Sequence, residues 1–435
     1  MSLGVTLPDP GIDTIAVLQQ STFRYFTREL DPATGLVYDS TRPESPASIA
    51  GSGFAFACYA VAAERGIIGR AEAAARVAHG LRFLWHAEQS EAPDASGSRG
   101  FFYHFLDPRT GRRAWRCELS TVDSAILFAG ALAAAGYFDG PSDDECAVRH
   151  LADALYRRAD WRWMVPRNAI AHGWKPERGF LRFDWRGYNE ALFMYILALG
   201  SPTFAPDESV YESWTSTYRW RSLLGHEYLY AGPLFTHQLS HAWIDFRGIQ
   251  DGYMRAKGID YFENSRRATL VQREYATRNP RRFRGYGADA WGISASDGPG
   301  PSAAPTRRGK RRFHGYRARG VPFGLDDGTL APWALVASLP FAPELVVPAM
   351  RHLDQAYPAL RVDYGYRSSF NPTYDDGDPA GWVCEWQYAI DQGPVVLMVE
   401  NYLSGLVWRV MRESPYVRDG LRRAGFRGGW LGRSG

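Results

Sequence analysis

Three acidic side chains stand at the beginnings of predicted helices, where paired carboxyl groups could carry out acid–base chemistry. Glu190 begins an apolar run that ends at Gly200, Asp123 stands three residues after Ser120, and Asp391 precedes a second apolar run. Two carboxyl groups that flank a glycosidic bond are sufficient to hydrolyse it, one as acid and the other as base or nucleophile. The three acids therefore predict a glycosidase-type site if the fold brings them together.

Each of these acids also has a purely structural interpretation. Glu190 in a first helical turn would compensate the helix dipole, which is worth about 0.3–1 kcal/mol. Asp123 would complete a capping box with Ser120. Asp391 would be an N-cap, with Pro394 in the first turn, where proline is tolerated. Position alone favours the structural interpretation for Glu190 and leaves the two interpretations of Asp123 evenly balanced.

Two histidines form a second group with spacing that could bind a ligand. His237 and His241 are four residues apart, as metal ligands on one helix face would be, but Gln238 replaces the glutamate of the H-E-x-x-H motif. We therefore expect no metal here, and no cofactor for the protein. These histidines are predicted to hydrogen-bond a polar ligand or the core.

The segment that follows combines aromatic and charged groups suited to a sugar. Trp243, Asp245, Arg247 and Asp251 lie within nine residues. Flat aromatic faces fit the apolar faces of sugar rings, and the chain contains 15 Trp, 24 Tyr and 23 Phe. The alternative for Asp245 and Arg247 is a buried ion pair, and the alternative for the aromatic residues is core packing.

Composition excludes several other functions. The net charge of +3 indicates no general affinity for nucleic acid, and no apolar stretch reaches the roughly 18–20 residues that span a membrane. The chain has no G-x-S-x-G motif, no P-loop and no G-x-G-x-x-G after a strand. The four cysteines are predicted to be free and mostly buried. We expect a cytoplasmic monomer; a periplasmic protein whose signal peptide was removed is the alternative.

Helical periodicity dominates the chain and must position these residues. It predicts about twelve helices, at 13–30, 52–65, 70–88, 120–136, 143–157, 188–199, 207–219, 233–246, 260–278, 329–339, 342–356 and 391–411. Strand-like pieces, such as 101–105, are short. Antiparallel helices in this number can bury their apolar faces by closing into a ring, so we predict an all-α (α/α)6 barrel over residues 1–435 as one domain. The segment 280–328, rich in Gly and Pro, is predicted to be a long functional loop.

Long strings of this sequence resemble the bacterial glycoamylase-like family. They are GWKPERGFLRFDWRGYNEALFMYILALGSPT (173–203), the segment 232–269, WGISASDGPGP (291–301), the segment 326–344 and IDQGPVVLMVENYLSGL (390–406). The resemblance covers roughly residues 13 to 430. It implies an (α/α)6 barrel with long loops at one end. It also implies relatives that act on β-1,2-glucan, namely endo-hydrolases and the transglycosylating domain of cyclic β-1,2-glucan synthases.

The resemblance also implies roles for the three acids. Glu190 and Asp391 match acidic residues implicated in catalysis. Asp123 matches a position that is Glu in the β-1,2-glucanases, within D-x-x-E-T-A, whereas this chain reads Ser120-x-x-Asp123-Ser124-Ala125. We therefore predict a hydrolase or transglycosylase acting on a β-glucan, with Glu190 as general acid and Asp123 or Asp391 as base or nucleophile.

The predicted sugar contacts are aromatic and polar residues of the same motifs, namely Trp174, Tyr188, His237, His241, Trp243, Asp245, Arg247, Asp251, Trp291, Asp297 and Trp333. Two other functions remain open. A non-catalytic glucan-binding protein would bind sugar without turnover, and its acids would serve as helix caps. A polysaccharide lyase would need a Tyr or His base and a cation that faces a uronate.

Overall fold

Apolar runs bounded by capping residues form the helices of this chain. We describe residues 10–306, 309–374 and 377–432 in a computed structural model. These residues contain fourteen α-helices, numbered α1 Pro10–Arg28, α2 Ile49–Glu64, α3 Arg70–His86, α4 Thr121–Tyr137, α5 Asp143–Arg157, α6 Leu192–Leu199, α7 Ser209–Thr215, α8 Gly252–Lys257, α9 Tyr261–Arg278, α10 Pro332–Val336, α11 Pro343–Ala356, α12 Ala389–Leu403, α13 Leu406–Glu413 and α14 Pro415–Arg423. The fold is mostly helical, as predicted.

The helices fall into two kinds that follow from their composition. Helices α2, α4, α6, α10 and α12 are apolar on nearly every side and are buried along most of their length. Helices α3, α5, α9, α11 and α14 bury only one face and keep charged residues on the other. A helix without a polar face must be surrounded by other elements, so the first kind lies inside the second.

Two glycines let the inner helices α2 and α4 approach until their backbones touch. A Cβ added to Gly130 would collide with the carbonyl group of Gly53, and a Cβ on Gly53 would lie 2.6 Å from the carbonyl oxygen of Ile126. Any side chain at either position would push the helices apart. The distance between α2 and α4 is therefore fixed by direct backbone contact.

The strands are short and join the helices in antiparallel pairs. Seventeen occur in the described ranges, numbered β1 Ala47–Ser48, β2 Gly97–Ser98, β3 Phe101–Phe102, β4 Phe105–Leu106, β5 Leu119–Ser120, β6 Gly173–Lys175, β7 Gly179–Phe180, β8 Trp220–Leu223, β9 His226–Leu229, β10 Ala295–Ser296, β11 Ser302–Thr306, β12 Gly309–Phe313, β13 Arg317–Ala318, β14 Arg361–Val362, β15 Gly365–Tyr366, β16 Phe370–Asn371 and β17 Trp382–Val383. Two of these pairs matter for the site. Strand β1 pairs with β4, and β5 pairs with β6, so the entries to α2 and α4 are held by hydrogen bonds.

Several predicted helix boundaries were wrong for identifiable reasons. The segment 233–246 forms two separate 3₁₀ turns, Leu234–His237 and Leu239–Ala242, instead of one α-helix. The segment 391–411 is divided into α12 and α13 at Gly405, whose φ of 71° lies in the left-handed region. Helix α6 begins at Leu192, so Glu190 precedes the helix and is not in its first turn.

The segment 280–328 was predicted as a loop without regular structure, and part of it forms strands. Strand β10 pairs with β13, and β11 pairs with β12. The first pair brings residues about twenty positions apart in the chain side by side. This segment can therefore present its side chains in a fixed arrangement.

The cysteines agree with their prediction. All four are free; Cys58, Cys117 and Cys384 are buried and Cys146 is exposed. Among the described helices, none has the length and apolar character needed to cross a membrane.

Candidate active site

One cavity of about 440 Å³ collects acidic and aromatic side chains from distant parts of the chain. Its carboxyl groups belong to Asp39, Asp123, Glu190, Asp297 and Asp391. Its aromatic rings include those of His104, Phe105, Phe235, Tyr316, Trp333 and Tyr388. The volume lies within the usual range for small-molecule sites. An apolar wall with a few convergent carboxyl groups is suited to bind and cleave a sugar.

The buried helical segments reach this cavity mainly with residues of their first turns. Helix α2 contributes Ala50, α4 contributes Asp123, α10 contributes Trp333 and α12 contributes Asp391, while Glu190 directly precedes α6. The 3₁₀ turns add Phe235 and Leu239. The cavity is thus built where several chain segments enter the core, which explains how residues remote in sequence meet.

Glu190 is positioned by hydrogen bonds of its own backbone and of its neighbours. The hydroxyl of Ser240 donates to the carbonyl oxygen of Glu190 at 3.0 Å, and the side-chain oxygen of Asn189 accepts from the N–H of Ala191 at 3.0 Å. Burial raises the pKa of the Glu190 carboxyl to about 7, and the charge of Asp123 adds to this effect. A carboxyl group that keeps its proton near neutral pH can act as a general acid.

Asp123 lies beside a histidine that is bound to a second carboxylate. Nε2 of His104 is 3.7 Å from Oδ2 of Asp123, and its Nδ1 is 3.0 Å from Oε1 of Glu118. Burial alone would lower the pKa of His104, but Asp123 and Glu118 outweigh it and raise that pKa to about 9. The hydrogen bond to His104 lowers the pKa of Glu118 to about 2. The imidazole is therefore a cation between two carboxylates at neutral pH.

Asp123 and Asp391 differ in their structural duties. The hydroxyl of Ser120 caps α4 by accepting from the N–H of Asp123 at 3.3 Å and donates to the Asp123 carboxylate, so a capping interaction is present. Helix α12 is capped at Tyr388, and Asp391 is its third residue, so the predicted N-cap role of Asp391 was wrong. Burial raises the pKa of Asp391 well above its usual value, and the charges of Asp39 and Asp297 add to this effect.

Asp297, a predicted sugar contact, lies at the rim of the cavity in a small ionic network. Its Oδ2 is 2.5 Å from Nη2 of Arg42, and the hydroxyl of Tyr388 donates to the same carboxylate. Trp333 also lines the cavity. Within the described residues its indole N–H has no hydrogen-bond partner, and neither has the side-chain oxygen of Gln238, another lining residue. Buried polar atoms of this kind are costly unless a ligand or water pairs with them.

Both predicted histidines lie in the core and not on the cavity wall. Nε2 of His237 lies 3.3 Å from the carbonyl oxygen of Ala231, and Nε2 of His241 lies 3.0 Å from the hydroxyl of Ser265. Because the segment forms 3₁₀ turns, the two side chains do not share an α-helical face. Burial lowers the pKa of His237 to about 4 and that of His241 to about 3, so both are neutral. Among the described residues, no group of three or more His, Cys, Asp or Glu could hold a metal ion.

The polar residues of the 243–251 segment are likewise used within the fold. Asp245 is fully buried and pairs with Arg247 at 2.8 Å and with Arg412, which is the ion-pair alternative considered above. Asp251 caps α8 and accepts hydrogen bonds at 2.8 Å from the hydroxyls of Tyr211 and Tyr261. None of Asp245, Arg247 and Asp251 lines the cavity, because their polar atoms already hold buried structure together.

Four predicted aromatic contacts also lie away from the cavity wall. Trp243 is buried and stacks on Phe54 at 5.2 Å, and Trp291 is buried in the core. Trp174, in β6, packs against Trp163 at 5.4 Å. The ring of Tyr188 contacts a cluster that includes His237, at 5.1 Å. Core packing is therefore the role the structure gives these rings.

Sequence reasoning missed several lining residues. His104, Asp39 and Arg42 lie in short connections with no recognisable spacing, and each reaches the cavity through a local strand pair or turn. Tyr388 stands directly before the Ala389–Asp391 start of α12, a position that could have been inferred from the same motif. Tyr316 follows the β11–β12 pair, which the sequence did not predict.

Known proteins resemble this chain over most of its length. A family model described as "Putative glucoamylase" matches residues 182–415. An exo-β-1,2-glucooligosaccharide sophorohydrolase of Parabacteroides distasonis is 26% identical over 454 aligned positions, covering 96% of this chain. The chain spans only 58% of the length of that relative.

Solved structures agree over nearly the whole chain. A Bacteroides uniformis protein described as a "putative glucoamylase" superposes with a TM-score of 0.85 and 30% identity, covering 98% of this chain and 99% of that one. An endo-β-1,2-glucanase of Chitinophaga pinensis, solved with sophorotriose and glucose, gives a TM-score of 0.84 and 28% identity, covering 96% and 99%. The likeness therefore extends over nearly all of this chain.

Proposed function

Because the chain belongs to the glycoamylase family, we propose that it is a glycoside hydrolase acting on β-1,2-linked glucan. The observation that carries the proposal is the meeting of Glu190, Asp123 and Asp391 in one sugar-sized cavity. Relatives that share this fold are a sophorohydrolase and an endo-β-1,2-glucanase. The substrate is thus a β-1,2-glucooligosaccharide or polysaccharide.

In the proposed reaction, the proton of Glu190 passes to the glycosidic oxygen as the bond from that oxygen to the anomeric carbon breaks. A carboxylate on the other side of the sugar attacks the anomeric carbon or removes a proton from the water that does so. We assign this role to Asp391, which is not the N-cap residue of its helix, because Asp123 is engaged with Ser120 and His104. Since burial raises the pKa of Asp391, its own proton has to pass to solvent or to a neighbouring carboxylate before it can act. Asp123 then holds the cationic His104 beside the reacting sugar.

We also propose that the helices form an (α/α)6 barrel that is one domain. The inner ring would contain α2, α4, α6, the two 3₁₀ turns, α10 and α12. Support comes from the neighbouring pairs α12–α2, α2–α4, α4–α6 and α10–α12. Two further links join the turns to the ring, Ser240 to Glu190 at 3.0 Å and Gln238 to Ala334 at 2.5 Å. Monomeric state and cytoplasmic location stay predictions.

The test is product analysis on linear and cyclic β-glucans of different linkages. We expect wild-type protein to release oligosaccharides from β-1,2-glucan and Glu190→Gln to lower kcat by roughly 10²–10⁴-fold, the usual share of general acid–base catalysis. Glu344→Gln, in an exposed ion pair with Arg266, is the matched control and should leave kcat unchanged. Full activity of Glu190→Gln would reject the assigned acid. Tight glucan binding without any product would favour a non-catalytic binding protein.

A further inference from the structure

A second depression lies beside the cavity. This groove has a volume of about 550 Å³, and its wall includes Tyr38, Arg42, Glu44, Arg109 and Trp115. Arg42 also lines the cavity. Arg42 is therefore a wall residue that the two depressions share, which places the groove next to the cavity.

The most prominent group in the groove is an exposed tryptophan held on a rigid turn. Trp115 is 69% exposed, although large aromatic residues are usually buried for the most part. Trp115 and Arg116 have φ values of 54° and 50°, and the N–H of Cys117 donates to the carbonyl oxygen of Ala114 at 3.1 Å. Two successive residues other than glycine in the left-handed region are unfavourable, so the surrounding structure must hold the turn.

Side chains beneath the turn supply that support. The guanidinium of Arg113, whose side chain is only 1% exposed, donates to the carbonyl oxygens of Cys117 at 2.7 Å and Arg116 at 2.9 Å. The ammonium of Lys175 donates to the carbonyl oxygen of Arg116 at 2.9 Å. The indole of Trp115 is consequently displayed at a fixed place, which lowers the entropy lost when a ligand stacks on it.

The exposed indole is linked to the cavity wall by ring contacts. Its ring lies 5.1 Å from that of Phe105, which lines the cavity and stacks on His104 at 4.0 Å. The groove also contains charged side chains, among them those of Glu44 and Arg109. An aromatic face flanked by charged groups is the arrangement that binds a sugar ring and its hydroxyls.

We propose that this groove is a binding subsite for the part of a β-1,2-glucan chain that extends beyond the cavity, with Trp115 as its stacking platform. The proposal rests on the function proposed above for the cavity. Its consequence is a preference for long chains over short ones, because only a long chain can occupy the cavity and the groove together.

The test measures binding separately from cleavage. Isothermal titration of Glu190→Gln protein with a long linear β-1,2-glucan and with sophorotriose gives the ratio of the two affinities. We expect Trp115→Ala in the same background to reduce this ratio about tenfold, which corresponds to about 1.4 kcal/mol. Trp115→Phe, which keeps a flat ring, should restore most of the ratio.

Trp85→Ala is the matched control, since Trp85 is 38% exposed and lines neither the cavity nor the groove. It should leave the ratio at its original value. An unchanged ratio in Trp115→Ala, or failure of the long glucan to bind at all, would overturn the groove proposal. If the long glucan binds through Trp115 but wild-type protein releases no product, the groove stands and the hydrolase proposal falls.

Discussion

At the scale of single residues, the acids of the cavity differ because their surroundings differ. Burial and the nearby charge of Asp123 raise the pKa of Glu190, which favours its neutral form. The carboxyl group of Asp123 instead lies 3.7 Å from Nε2 of His104. The carboxyl groups of one cavity therefore have different electrostatic surroundings, which is what separate acid and base roles require.

The pH dependence of the reaction should report on Glu190. Since an acid is lost when its proton leaves, kcat/KM should decline as the pH rises through about 7, the pKa of Glu190 in the free protein. Asp123→Asn removes the charge that helps to raise this pKa, so the decline should move to lower pH. Initial rates on β-1,2-glucan between pH 4 and 10, about the range in which proteins stay folded, provide the measurement. A decline that stays in place in Asp123→Asn would contradict the coupling.

His104 should act by holding charge next to the acids. Burial raises the pKa of Asp39 to about 6, although the positive charge of His104 lowers it. In His104→Gln that charge is gone, and the acidic limb of the pH–rate profile should move upward by about one pH unit. His172→Gln is the control, since His172 stacks on Trp185 at 4.0 Å and does not line the cavity. Equal shifts in both variants would show that the effect is not specific to His104.

Some of the site residues could be predicted from the sequence and others could not, depending on whether the local sequence pattern fixes their place in the fold. Glu190 and Asp391 could be found because each stands at the start of an apolar run of the sequence, where side chains reach the end of the core. His104 and Arg42 could not be found, because their local sequence does not predict the strand pairs and turns that place them at the cavity. The spacing of His237 and His241 suggested a shared ligand because residues four apart lie on one face of an α-helix. These two residues lie on 3₁₀ turns, where that relation does not hold.

At the scale of elements, the entry of each inner helix has to satisfy two demands. The first turn must find partners for its N–H groups, and it must also present a side chain to the cavity. At α4 the two demands meet in one contact, because Ser120 both caps the helix and binds the Asp123 carboxylate. At α5 the corresponding cap, Ser142 to the N–H of Glu145 at 3.3 Å, lies away from the cavity.

These two caps allow a matched comparison. Ser120→Ala and Ser142→Ala should each lower the free energy of unfolding by about 1 kcal/mol, the usual loss for a helix N-cap. Only Ser120→Ala should also lower kcat/KM, because it alone releases the Asp123 carboxylate. Urea denaturation and steady-state kinetics measure the two quantities. If both variants lose the same activity, the Ser120 contact has no role beyond capping.

Element types were easier to predict than their limits. Buried helices such as α2 and α4 were evident because Ala, Leu and Phe follow one another without a polar face. The division at Gly405 and the 3₁₀ turns depend on tertiary contacts, for example the bond from Gln238 to Ala334, which the local sequence does not contain. The β10–β13 pair was missed because two-residue strands leave no periodic pattern. The longer β11–β12 pair was missed because its strands, SAAPT and GKRRF, do not alternate apolar and polar residues.

At the scale of the whole molecule, a buried carboxylate ties the two ends of the chain together. Glu400, on α12, is fully buried and accepts from Nε of Arg65 at 2.7 Å and from the side-chain amide of Gln19 at 3.0 Å. These partners belong to the end of α2 and to α1. The charge thus has to be paired by residues that are hundreds of positions away.

Removal of the Arg65 cation should therefore lower the free energy of unfolding. Arg65→Ala leaves the Glu400 charge without its main partner and should lower the free energy of unfolding by about 3 kcal/mol. Arg76→Ala breaks the surface pair with Glu72 at 2.9 Å and should cost less than about 1 kcal/mol. Chemical denaturation of both variants measures the difference. Equal losses would mean that Glu400 finds another partner.

The backbone contact between Gly53 and Gly130 has a consequence for how this site can diverge. Helices α2 and α4 both begin at the cavity, so their spacing affects how far Asp123 stands from the opposite wall. A methyl group at either glycine would widen the pocket without altering a single functional side chain. In related chains, the residues at these two positions should therefore correlate with the width of the pocket, although neither residue touches the substrate.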